Sequence, residues 1–78
     1  MANNDLQEVQ EEVRSRTLRL MLDKVHADTY PSTTMLDIVE QLLGGPDDVA
    51  DYAEVLWAKI EGDTYPSYGL IRRLLAFT

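Results

Sequence analysis

Apolar residues recur along this chain at helical rather than alternating spacing, in four stretches separated by three breaks. The first stretch runs from Asp5 to about Ala27 and carries Leu6, Val9, Val13, Leu20, Met21 and Val25. It ends at Asp28-Thr29-Tyr30-Pro31-Ser32. A proline inside a helix loses a hydrogen bond, and it pushes the preceding residue, here Tyr30, out of helical geometry. The second stretch, about Thr33 to Leu43, stops at the breaker Gly44-Gly45-Pro46. Pro46 suits the first position of a third helix, and Asp47 and Asp48 suit the positive end of its dipole. That helix carries Val49, Ala53, Leu56 and Ile60 at i, i+4, i+7 and i+11, and Gly62 reads as the glycine just past its end. The fourth helix runs from about Tyr68 to Thr78. The expected class is all-α.

The breaks contain a repeat. Asp28-Thr29-Tyr30-Pro31-Ser32 recurs as Asp63-Thr64-Tyr65-Pro66-Ser67, an offset of 63 − 28 = 35 positions. In the same register Leu20 aligns with Val55, Met21 with Leu56, Lys24 with Lys59 and Val25 with Ile60. Past the turn Met35 aligns with Leu70, Leu36 with Ile71, Val39 with Leu74 and Leu42 with Phe77. Apolar positions match on both sides of the turn while polar ones mostly do not, as two copies of one packing unit would retain. The chain therefore reads as one domain of residues 1–78 built from two similar helix–turn–helix hairpins, about 14–43 and 49–78, in a pseudo-twofold bundle with a longer first helix. Ser32 and Ser67 are expected to cap the helices that follow them. Tyr30 and Tyr65 are expected to lay their rings across the joints. Leu20, Met21, Val25, Leu36, Val39, Leu56, Ile60, Ile71 and Leu74 form the expected core.

Composition narrows the options further. At 78 residues the chain is short, so its core is small. It has no cysteine and one histidine, His26, which excludes a disulfide framework and a Cys/His zinc site. His26 and Asp28 at a helix end would point apart, so no metal is expected. The sequence shows no signal-peptide pattern and no apolar run long enough to cross a bilayer, so a cytoplasmic location is the default expectation. The net charge is −7. Residues 28 to 63 hold nine acids against the single base Lys59, while Arg14, Arg16, Arg19 and Lys24 gather in the first helix and Arg72 and Arg73 near the end. Such a balance gains little from phosphate attraction, so nucleic acid is not an expected partner.

No pattern of catalysis stands out: there is no phosphate-binding glycine loop, no His-Glu-x-x-His and no nucleophile–base pair. Adjacent acids such as Glu11-Glu12 and Asp47-Asp48 diverge by about 100° on a helix and do not converge on a substrate. An enzyme is not expected, nor a cofactor or small-molecule substrate. Two features suggest association instead. The turns carrying Leu6, Val9 and Val13 lie outside the repeat and overhang it, and the last helix carries more apolar residues than one stripe, ending in Leu75 and Phe77. Trp57, aligned with Leu22, reads as a core residue or as an interface anchor. The sequence thus points to a small acidic interaction or assembly protein that binds another protein or itself through Leu6, Val9, Val13, Trp57, Arg72, Arg73, Leu75 and Phe77. The alternative is a DNA-linked regulator of helix–turn–helix type, of phage or mobile-element kind, using Arg14, Arg16 and Arg19.

Overall fold

A computed structural model describes residues 3–64 and 67–78. Its elements are four helices, α1 (Asn3–Ala27), α2 (Thr33–Leu42), α3 (Pro46–Gly62) and α4 (Tyr68–Leu75), with no strand among the described residues. The all-α expectation holds, and the expected bounds of the first three helices lie within two residues of the observed ones. No described helix is long and apolar enough to cross a membrane. The chain divides at the Gly44–Gly45 step into two units, Met1–Gly44 and Gly45–Thr78.

In the first unit α1 packs against α2. Leu18, Leu22 and Val25 fall at i, i+4 and i+7 on one face of α1, and all three are buried, as are Leu36 and Val39 of α2. The turn between the helices is held by its own side chains. The Asp28 carboxylate accepts from the Tyr30 N–H at 3.2 Å, and the Ser32 hydroxyl accepts from the Met35 N–H at 3.1 Å, so Ser32 caps α2 as expected. The far end of α2 is capped by a side chain from α1. The Glu11 carboxylate takes two donors of the Arg14 guanidinium, and the remaining arm donates to the Leu42 carbonyl at 2.6 Å, one of the carbonyls that the end of a helix leaves without an intrahelical partner. Gly44 makes room for this contact, because a Cβ there would stand 2.5 Å from Arg14 Cζ.

In the second unit α3 packs against α4, with Tyr52 and Leu56 of α3 and Leu70 of α4 buried. Tyr52 meets Phe77 edge to face, with ring centroids 6.1 Å apart. Pro46 opens α3 with Asp47 and Asp48 in its first turn, as expected. α4 ends at Leu75, and a tight turn through Thr78 follows, in which the Phe77 N–H donates to the Leu74 carbonyl and the Thr78 hydroxyl to the Leu75 carbonyl.

Several expectations need correction. Val25, Leu36, Val39 and Leu56 are buried, but Met21, Ile60, Ile71 and Leu74 are only half-buried and Leu20 is 63% exposed. Leu20 stands two residues from both Leu18 and Leu22, about 200° round the helix from each, so it faces away when they face in. Leu18, Leu22, Tyr52 and Leu70 are core residues outside the expected set, although Leu70 stands at a position matched with Met35 in the repeat. Tyr30 does not bridge the joint: its backbone is held by Asp28 and its ring is 84% exposed. Tyr65 and Pro66, the centre of the second pentapeptide, lie outside the described residues. Ser67 stands at the start of α4 but makes no side-chain cap, its backbone (φ −99°, ψ 86°) departing from the extended geometry that Ser32 adopts. Gly62 is the last residue of α3 and not a left-handed cap; Asp63, in extended conformation, closes the helix through its N–H to the Ile60 carbonyl at 3.3 Å.

Candidate functional site

The second unit carries an apolar groove of about 640 Å³. One wall is a stripe along α3, in which Pro46, Val49, Ala50, Ala53, Trp57 and Ile60 recur at helical spacing. The other wall is Ile71, Leu74 and Leu75 of α4, continued by Phe77 and Thr78 of the terminal turn. Trp57 is 48% exposed, so it is not a core residue. Phe77 is partly anchored by its edge contact with Tyr52 and presents the rest of its ring to solvent.

Among the described residues no ionisable side chain lines the groove, and the Thr78 hydroxyl is committed to the Leu75 carbonyl. Such a surface can do one thing well, which is to take apolar groups out of water. Charge lies beside it. Asp47, Glu54 and Glu61 recur at i, i+7 and i+14 and form an exposed acidic row on α3, one position past Pro46, Ala53 and Ile60 and so about 100° round the helix from the stripe.

The expected contact residues separate into two places. Trp57, Leu75 and Phe77 come together in the groove, with Arg72 exposed and Arg73 half-buried elsewhere on α4. Leu6, Val9 and Val13 are exposed on α1, in the first unit. Ala53, Ile60, Ile71 and Leu74 belong to the groove although three of them were expected in the core. A usable signal was the size of residue 53: it pairs with Leu18 in the repeat register but is only alanine, and a small residue at a seam leaves space. Of the first-helix arginines, Arg14 is held by Glu11 and Leu42, and Arg16 donates to Glu12 at 3.4 Å. His26 is exposed in the last turn of α1, and no group of three or more metal-ligating side chains gathers among the described residues. No family model, curated protein or solved structure matches this chain.

Proposed function

We propose that this chain is a non-enzymatic, cytoplasmic interaction protein whose docking surface is the groove between α3 and α4, and that its occupant is one apolar face of a helical segment of a partner protein, flanked by basic residues. The observation that carries this reading is the groove itself, an apolar surface lined in part by a half-exposed tryptophan. Apolar patches of this kind mark binding sites, and tryptophan is the residue type most enriched among contacts that dominate binding energy. The acidic row of Asp47, Glu54 and Glu61 selects lysine and arginine on the partner.

The internal repeat supports the same reading. Thirty-five positions beyond the buried Leu18, Leu22, Val25, Leu36 and Val39 stand Ala53, Trp57, Ile60, Ile71 and Leu74, and all five line the groove. Positions that are buried in the first unit thus recur in the second as positions that line an open groove. A role on DNA draws less support, since Arg14 is committed to Glu11 and to the end of α2.

Trp57 is the single tryptophan and reports on its own groove. Titrating the protein with a synthetic Leu/Lys amphipathic helix should shift its emission to the blue and saturate, with a Leu/Glu helix of the same length binding at least about tenfold more weakly at low salt. Ile71→Ser should abolish the response. An emission spectrum unmoved by either peptide, or binding that survives Ile71→Ser, overturns the proposal.

A further inference from the structure

α1 carries apolar rows on opposite faces. The inner row, Leu18, Leu22 and Val25, is buried. The outer row is Leu6, Val9, Val13 and Leu20, whose exposures run from 51% to 63%. With Arg16 in the remaining place, these residues follow i, i+3, i+7, i+10 and i+14, the seam spacing by which one helix packs along another. Nothing in this spacing depends on the groove of the second unit, and the inference stands apart from that reading.

The charges on α1 identify the other helix. Residues 5 to 12 hold Asp5, Glu8, Glu11 and Glu12 and no base, whereas residues 14 to 24 hold Arg14, Arg16, Arg19 and Lys24 against the single acid Asp23. The change of sign runs along the seam itself. Asp5, Glu12 and Arg19 are spaced by seven and form one row beside the outer apolar face. A partner helix must therefore be apolar on one side, basic opposite the first half of α1 and acidic opposite the second. α1 meets that description when it is turned end for end. Parallel pairing would set acid beside acid; antiparallel pairing sets the acidic end of each helix beside the basic end of the other.

We propose that a second copy of this chain docks antiparallel along the outer face of α1, forming a twofold dimer through Leu6, Val9, Val13 and Leu20. Each copy presents the same patch, and the charge reversal along α1 makes that patch complementary to itself.

Sedimentation of the whole chain should show a mass that doubles as concentration rises and a dimer that weakens as salt is added. Val9→Ser together with Val13→Ser should leave a monomer whose melting temperature matches that of the wild-type monomer, because these side chains touch little within their own chain. A charge swap gives a second arm. A chain carrying Asp5→Arg and Glu12→Arg, and another carrying Arg16→Glu and Arg19→Glu, should each be monomeric alone and form a mixed dimer together. Spin labels at position 7 of the two copies should lie roughly 20 Å apart, against roughly 10 Å for a parallel pair. A wild-type chain that stays monomeric at every concentration overturns the proposal. So does a dimer untouched by the serine pair, a serine pair that destabilises the monomer, a failure of the two charge-swapped chains to associate, or a short label distance.

Discussion

Leu56 and Leu20 are the same residue type on helices of similar character, and they stand at opposite extremes of exposure. Leu56 has no surface left to solvent, so truncation leaves a void that its neighbours fill only in part. Leu56→Ala should lower stability by about 2–5 kcal/mol, a large share of what a domain of this size has, while Leu20→Ala should change the monomer by no more than about 0.5 kcal/mol. Thermal melts of the two variants at low protein concentration check both. A loss below about 1 kcal/mol for Leu56→Ala would place its face on the surface. The contrast also shows what the sequence leaves open at this scale. Both leucines occupy apolar positions matched across the repeat, and only the placement of α2 against Leu18 and Leu22 decides that Leu20 faces out. Tyr30 makes the same point: a tyrosine before a proline was readable as a turn residue, but where its ring goes depends on the Asp28 contact that fixes the backbone.

At the scale of the helix, the readable signals were the ones with a local physical cause. Pro31, Gly44, Gly45 and Pro46 break or start helices through their own covalent geometry, so three helices were placed almost to the residue. Ser32 caps α2 by reaching a neighbour three residues away. The C-terminal capping of α2 by Arg14 was not readable, because it joins residues 28 positions apart. The groove was half readable: Trp57, Leu75 and Phe77 were expected as contacts, but the walls supplied by Ile60, Ile71 and Leu74 were read as core, since apolar periodicity is the same for a seam that closes and one that stays open. Side-chain volume at the seam tells them apart. Ala53→Leu should fill the groove, hold or raise the melting temperature of the monomer, and weaken binding of the Leu/Lys peptide by at least about tenfold. If the enlarged residue left peptide affinity unchanged, the groove would not be the site.

Across the whole molecule, charge was fully legible: a formal net charge of −7 follows from the sequence, and so does the crowding of acids between residues 28 and 63. Less legible was the division at Gly44–Gly45, which rests on which helices touch. That pattern of touching has a kinetic consequence. Each unit joins helices that follow one another directly, α1 with α2 and α3 with α4, with five residues between them, 28–32 and 63–67. Closing so short a connection costs little chain entropy, and proteins dominated by such near-neighbour contacts cross their folding barrier in microseconds to milliseconds. Refolding after rapid dilution from denaturant should therefore finish largely within the dead time of a conventional stopped-flow instrument, and a temperature jump should be needed to resolve the relaxation. A dominant phase lasting seconds that a prolyl isomerase does not accelerate would mean that the barrier is set by pairing between distant parts of the chain.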